Sequence, residues 1–479
     1  MSRILHIFLS VFIFISTNAQ TEIDALRFSR YDISGTARFT SMSGAYGALG
    51  ADFTSLSYNP AGLGLYQSNE LTLTPQFGNI TAKSFFNNSK NINDKLFSNF
   101  SNFGYVASSL KDSKEEWRRI NLAVGYNSTA NYKKRVFLSG FNNTSSMIDN
   151  FLLNSQGKII ANLNNFNELL AWNTYLFDPM DSIDNGNYIS NLNSKLNKYQ
   201  EKTINSSGSS GEYVFSFGTS YEEVVYIGAT IGMPIIDYYE ESIYSESQFS
   251  DTAFHLSSFN LIEEISTSGR GLNLKVGLIA RMNDWIKIGG AIHSPTYYDI
   301  EEQYNTSITA EWENSLGTMY DSSPFGYFNY ELKTPWKTIG SISANIENKG
   351  LLSIDIEIVD YSTAIYSSDT YQYTEENEII NSLYTKSTNI RMGGEVKYKP
   401  FRIRAGYAHY SSPYKENPEL LNKSFSFGLG LDRGFFTADL TFILSEENNE
   451  HLVYSSDIIK PATITTTKHN ILLTLGLRY

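Results

Sequence analysis

The chain of 479 residues contains no cysteine, which excludes disulfides, thiolate metal sites and cysteine nucleophiles together. It also lacks an apolar run long enough to cross a bilayer as a helix. The longest, ILHIFLSVFIFIS at 4–16, is shorter than the roughly 20 residues such a span needs. Basic residues are in deficit, 37 Lys and Arg against 50 Asp and Glu. The resulting net charge of −13 leaves no basic face of the kind nucleic-acid binding requires. The six histidines are scattered without metal-ligand spacing. Gly44, Gly47 and Gly50 imitate a phosphate loop, but no Gly-Lys-Ser/Thr follows and no strand–helix frame surrounds them. No nucleophile–base pair sits in a motif frame either. No catalytic residue, metal or cofactor is expected.

What the chain does have begins with Arg3, the apolar run and the small-residue stretch STNAQ, the three parts of a secretory signal peptide. Cleavage is expected near Ala19 or Gln20. Aromatics are plentiful, 33 Tyr and 30 Phe against 5 Trp, a level that suits the interfacial girdles of a membrane barrel. The last eleven residues, HNILLTLGLRY, place Ile471, Leu473, Leu475, Leu477 and Tyr479 on one strand face. Asn470, Leu472, Thr474, Gly476 and Arg478 fall on the other. A C-terminal strand of this form closes a bacterial outer-membrane barrel, one face on lipid and one on a lumen.

The same alternation recurs in GLNLKVGLIAR, LLSIDIEIVDY, FRIRAGYAHY and FFTADLTFIL. Counting short turns against long polar loops predicts strands over 70–81, 101–110, 118–138, 212–221, 224–234, 269–281, 285–297, 335–346, 350–361, 389–398, 401–411, 423–431, 435–445 and 469–479. The expectation is therefore an all-β fold, a 14-stranded antiparallel transmembrane β-barrel over 70–479, whose even count leaves both ends on the periplasmic side. The third strand is broken: RRINLAVGYN reads well, STANYKK interrupts, and RVFLSG resumes. The region 145–210 reads as a long, partly helical extracellular loop, because SSMIDNFLL and NNFNELLAWNTYLF carry helical spacing. Asp355, Glu357, Arg391, Glu395, Lys397, Arg402 and Arg404 fall on the lumen face of three consecutive strands. Opposite charges on neighbouring strands pair readily, so an interior ion-pair network is expected there, with Arg402 or Arg404 otherwise free to guide an amphipathic carboxylate.

The stretches SMSGAYGALGADFTSLSYNPAGLGLY at 41–66, GLNLKVGLIARMNDWIKIGGAIHSPTYY at 271–298, LKTPWKTIGSISANIENKGLLSIDIEIVDYS at 332–362 and IRMGGEVKYKPFRIRAGYAHYSSPY at 390–414 resemble the FadL/TodX family of outer-membrane transporters for hydrophobic compounds, in its Bacteroidetes branch. With residues 1–19 read as the signal peptide, the resemblance implies that 20–69 are an N-terminal hatch folded into the lumen. Asp52, Asn59, Pro60, Ala61 and Gly62 would belong to that hatch, with Pro60 fixing the backbone and Gly62 allowing a tight turn. It implies that Asn127, Ser128, Thr129, Ala130, Asn131 and Tyr132, at the break, form a lateral opening through which a hydrophobic ligand leaves for the bilayer. The function so implied is passive uptake of hydrophobic small molecules, of long-chain fatty acid or aromatic type, by hatch movement and lateral exit. The ligand pocket would be apolar with few polar anchors. The partners would be membrane lipid and a hydrophobic ligand, with no nucleic acid. The competing expectation is a non-transporting subunit that docks other outer-membrane proteins in a secretion or barrel-assembly complex.

Overall fold

The computed structural model describes residues 22–110, 116–181, 185–192, 195–250, 255–347 and 349–479; the expected signal peptide lies outside them. Fourteen antiparallel strands close into one barrel. They are β1 (Glu70–Phe86), β2 (Ser89–Leu110), β3 (Trp117–Asn131, resuming at Lys134–Asn142), β4 (Lys198–Tyr221), β5 (Val225–Ser247) and β6 (Leu256–Arg281). Two interrupted strands follow, β7 (Ile286–His293 and Tyr297–Trp312) and β8 (Thr318–Ser322, Gly326–Lys333 and Lys337–Ile346). Then come β9 (Gly350–Asp360, with Ile365–Ser367), β10 (Lys386–Tyr398), β11 (Phe401–Tyr410), β12 (Asn422–Asp432), β13 (Phe436–His451) and β14 (Ala462–Arg478). The seam joins β14 to β1, from Glu70↔Arg478 to Phe85↔Thr463. Arg478 Nε donates to Glu70 Oε2 across it at 2.5 Å, and Asn69 and Tyr479 exchange backbone hydrogen bonds below it.

Every predicted strand is present, and the alternation has the expected sense. Leu272, Leu274, Val276 and Leu278 face outward while Asn273 and Lys275 are buried; Leu473, Leu475 and Leu477 face outward while Leu472 and Thr474 are buried. An exterior this apolar matches lipid, and the closed ladder leaves no strand edge for the hydrocarbon to strip of partners. Trp285, Tyr398, Phe435 and Tyr479 stand exposed at the short-turn end, and Tyr297 and Trp336 stand exposed toward the other. The tyrosines are not mainly a girdle, however. Tyr46, Tyr58, Tyr238, Tyr298, Tyr330 and Tyr366 are among many buried inside the barrel.

Several strands run well past their predicted ends. β4 starts at Lys198 rather than 212, and β5 continues to Ser247. These extensions rise above the membrane, where no lipid face enforces apolar alternation, so the period-two signal fades there. The long loop is correspondingly shorter than expected, but it carries the two expected helices, α3 (Met147–Ser155) and α4 (Glu168–Asn173). Ile148, Phe151, Leu170 and Phe177 of this loop pack with Val136, Tyr244, Phe259 and Ile308 of the strands, forming a cap over the long-loop end.

Residues 22–66 lie inside the barrel, as a helix α1 (Glu22–Ser29), a short helix α2 (Ala37–Thr40) and two 3-10 turns, Phe53–Ser57 and Pro60–Leu65. The stretch 37–66 is fixed by a belt of inward-facing wall glycines. Phe53 packs on Gly104 and Gly125, Leu63 on Gly218, Pro60 on Gly228, Asn59 on Gly277, and Met42 on Gly393 and Gly406. Glycine inside a strand marks a close approach of another segment. Here a Cβ at Gly277 would overlap the Asn59 side-chain oxygen, and one at Gly393 would sit 2.6 Å from Met42 Cβ. Gly340 lies on the outer face with nothing near it. Gly277→Ala should therefore lower stability by about 1–3 kcal/mol through overpacking, while Gly340→Ala stays within about 0.5 kcal/mol of the parent. Thermal unfolding of the detergent-purified barrels measures the difference; equal midpoints would show that the belt does not hold the segment.

Candidate functional site

Among the described residues, a break in the ladder opens between β2 and β3. Pro75 of β1 cannot donate to a ladder, and β2 answers with a bulge at Ser101. The β2–β3 ladder then ends at Asn102↔Asn127. β3 runs on against β4 alone, is bulged at Thr129, breaks at Tyr132 and Lys133, and resumes at Lys134, still paired only with β4. The interruption read from STANYKK is therefore a real discontinuity and not an extra strand.

Beyond Asn127 the carbonyls of β3 that would have met β2 need other partners. The N-terminal segment supplies them. Asp32 N–H donates to the Thr129 carbonyl at 2.7 Å, and the Ser34 hydroxyl donates to the Ser128 carbonyl. Asn131 N–H donates back to the Asp32 carboxylate at 3.2 Å, and Gly35 N–H donates to Ser101 Oγ at 2.7 Å on the β2 side. Lys468 of β14 holds the Asp32 carboxylate at 2.9 Å from each oxygen. Residues 32–35 thus fill the gap as an improvised strand. Below the break, Asn102 donates to Asn127, and Asn127 donates to Ser57 Oγ at 2.9 Å.

α1 sits above this latch and touches the break directly. Phe28, Tyr132 and Tyr238 form a three-ring cluster with centroids 5.4–6.3 Å apart, and the Arg27 guanidinium lies 4.2 Å over the Tyr238 ring. Beside them is a cavity of about 380 Å3 bounded by Ile23, Leu26 and Arg30–Ile33 on one side and Ala130–Lys134 on another. Its lining is not the apolar surface expected. Arg30–Glu447 (3.0 Å), Asp32–Lys468, Glu357–Arg391 (3.0 Å) and Lys423–Glu446 (3.1 Å) line it as neutralised pairs, with Ile80, Val136, Ile204 and Ile464 between them.

The six residues of the expected opening, Asn127, Ser128, Thr129, Ala130, Asn131 and Tyr132, all fall at this break, where Ser128, Thr129 and Asn131 bond to residues 32–34, Asn127 to Asn102 and Ser57, and Tyr132 packs on Phe28. The expected hatch residues are in the lumen. Asp52 accepts from Thr54 N–H and the Thr36 hydroxyl, and Asn59 donates to the Gly47 carbonyl at 2.6 Å while accepting from Ala61 N–H. Pro60 opens the second 3-10 turn, Ala61 is fully buried, and the Gly62 carbonyl accepts from Ala51 N–H. The lumen charges divide into three groups. Glu395, Arg402 and Arg404 join Asp432 and Asp439 in an ion-pair network near the short-turn end, with Lys397 beside Glu395. Glu357 and Arg391 line the cavity. Asp355 serves neither, because its carboxylate accepts the Tyr46 and Gly47 backbone N–H groups at 2.9 and 2.8 Å and so anchors the inner segment. Sequence reasoning missed Asp32, Ser34 and Lys468, which no short-range pattern marks.

No protein-family model matches the sequence, and no curated protein matches it. Solved structures do match in fold. The P. putida toluene transporter TodX aligns over 94% of this chain and 99% of its own, with a TM-score of 0.53 and 12% identity. A Pseudomonas aeruginosa FadL homologue aligns over the same shares, with a TM-score of 0.53 and 10% identity. The CymD monoaromatic hydrocarbon channel aligns likewise, with a TM-score of 0.52 and 12% identity. At such identities the likeness is one of fold.

The latch makes a direct prediction, and the cysteine-free chain gives it a clean readout. A single cysteine at Ser128 should react slowly with a lipid-soluble maleimide in the parent. Adding Asp32→Ala removes one carboxylate and its bonds to Asn131 and Lys468, worth about 1.5–3 kcal/mol for a charged partner, and should speed labelling roughly tenfold or more. An unchanged rate would show that residues 32–35 do not hold the break shut.

Proposed function

We propose that the chain is an outer-membrane channel of the FadL/TodX family for passive uptake of hydrophobic small molecules, the long loops lying outside the cell and the short turns in the periplasm. The Bacteroidetes branch rests on the sequence resemblance alone. One observation carries the reading: a cavity of about 380 Å3, in the size range of small-molecule sites, abuts the break between β2 and β3, and residues 30–33 lie against both. A ligand enters beneath the cap, occupies the cavity beside α1, and displaces α1 with residues 32–35. It then leaves sideways between β2 and β3 without crossing water.

The direction of exit follows from what blocks the alternative. Toward the periplasm the lumen is filled by residues 37–66 wedged into wall glycines, above the network of Glu395, Arg402, Arg404, Asp432 and Asp439. Moving that unit would break many bonds, among them Asn121 to the Leu63 carbonyl at 2.7 Å and Thr230 to the Leu56 carbonyl at 3.0 Å. Hatch movement is accordingly confined to the stretch above it. The ion pairs in the cavity wall suit a ligand with a polar end as well as an apolar body, so both a long-chain fatty acid and an aromatic hydrocarbon are admitted as classes.

The test is a cross-link. In Ser34→Cys/Ser128→Cys, oxidation ties the latch to the break. Cells expressing this variant should lose channel-dependent uptake of labelled oleate or toluene when oxidised and recover it with reductant. Uptake that ignores the cross-link contradicts lateral exit. Stoichiometric copurification with other envelope proteins, without uptake of either compound, favours the docking subunit instead.

A further inference from the structure

In a chain of net charge −13, the short-turn end of the lumen carries cations that the acids around them do not neutralise. Lys287 shares a face of β7 with Gly289, which meets Gly47 of the inner segment, and Arg281 shares a face of β6 with Gly277, which meets Asn59. Both side chains therefore face the lumen, and they are direct register partners, Lys287↔Arg281. Lys397 shares the inner face of β10 with Gly393 and Glu395, and its register partner on β11 is Arg402. Each pair sets like charges directly opposite on neighbouring strands, an arrangement that destabilises a sheet.

The carboxylates of this end are already engaged. Glu395 accepts from Arg404 at 2.6 Å, Asp439 from Arg404 at 2.5 Å and Glu70 from Arg478 at 2.5 Å, while Asp432 accepts from Arg402. Among the described residues Arg281, Lys287 and Lys397 make no ion pair. Arg281 donates to the Tyr226 hydroxyl at 3.2 Å, and the charges that act on Lys287 are Arg281, Arg38 and Lys397. Arg38, on α2 of the inner segment, gives one N–H to the Ala51 carbonyl at 2.9 Å, and its Nε is buried without a hydrogen-bond partner. Glu395, Asp52 and Asp439 face Arg38 only at longer range. β8 and β9 stand between β7 and β10 and turn Ser343, Leu351 and Ser353 inward at this level. Asp355, higher on β9, accepts the Tyr46 and Gly47 N–H groups. The cations Arg38, Arg281, Lys287 and Lys397 are each only partly buried, and Gly47 and Ala48 close on Gly289 just above Lys287. The result is a roofed recess, open toward the short turns.

We propose that this recess binds a small multivalent oxyanion of the phosphate class, held between Lys287, Arg281 and Lys397 of the wall and Arg38 of α2. Partly buried cations that face one another need a counter-charge, and a dianion supplies it where no side chain does. The roof of Gly47 and Ala48 restricts the occupant to a compact group. Because Arg38 belongs to the inner segment and the other three to the wall, the bound anion ties the two together from the periplasmic side. The inference rests on the membrane-spanning orientation but not on transport, since a sealed barrel would bind the same anion.

Titration calorimetry of the detergent-purified barrel with pyrophosphate, at constant ionic strength, tests it. The parent should bind saturably. Lys287→Gln/Lys397→Gln should weaken binding about tenfold or more, since each lost cation removes a charge-assisted partner. Lys386→Gln/Lys415→Gln, altered at the long-loop end, should bind as the parent does. In phosphate-free buffer the Lys287→Gln/Lys397→Gln barrel should unfold at or above the parent's midpoint, because it relieves like-charge contacts, so its lost binding is not lost folding. Glycerol 3-phosphate separates the sources of the group: tighter binding than pyrophosphate marks the phosphate of a larger molecule, weaker binding a free anion, and both keep the site. No heat beyond that of matched chloride, undiminished binding by the double glutamine variant, or its destabilisation in phosphate-free buffer would overturn the proposal. So would tighter binding of a hexaglutamate peptide than of either phosphate compound, which would mark a surface for docking protein.

Discussion

A polypeptide in hydrocarbon cannot leave backbone groups unpaired, because no water is present to satisfy them. A closed barrel meets this condition everywhere at once, and a gap in its ladder violates it. Here the ladder stops at Asn102↔Asn127, and the orphaned carbonyls of Ser128 and Thr129 are taken by residues brought from the N-terminus. The rest of the design follows from that substitution. A segment able to stand in for a strand must be held in the lumen, must reach the gap, and must be removable without unfolding the barrel.

The inner segment meets these demands by being two things. Residues 37–66 are anchored from all sides, by Asp355 on Tyr46 and Gly47, by His293 Nε2 on the Tyr58 carbonyl at 2.7 Å, and by wall glycines that admit Phe53, Pro60 and Met42. Residues 22–35 are held differently, by ring packing of Phe28, the Arg27–Tyr238 stack, the Arg30–Glu447 ion pair at 3.0 Å, Lys337 on the Ser29 carbonyl at 2.9 Å and the hydrogen bonds of Asp32 and Ser34. The cavity is bounded by Ile23, Leu26 and Arg30–Ile33 of this second part and by Tyr58 of the first.

How much of this was legible in the sequence depended on the range of the interaction. Lipid contact imposes alternation on neighbouring residues, so strands such as Leu272–Leu278 and the closing strand could be read directly. Above the membrane that pressure ends, and the first part of β4 from Lys198 was read as loop. The break was visible because STANYKK stops the alternation, yet its closure was not, since it depends on Asp32 meeting Thr129 across 97 positions of chain. Asp355 shows the same limit from the other side: an inward acid looks identical whether it pairs with an arginine or accepts a backbone N–H. The buried tyrosines were misassigned for a related reason, because composition counts rings without saying which face of the wall they occupy.

The most direct test of a two-part inner segment is amide hydrogen exchange on the barrel in lipid nanodiscs, comparing the parent with Asp32→Ala. The account predicts that the substitution speeds exchange in 30–35 and 128–132 together while 54–62 stays protected. If 30–35 and 54–62 exchange at one common rate and respond alike, the segment is a single unit and the latch does not exist.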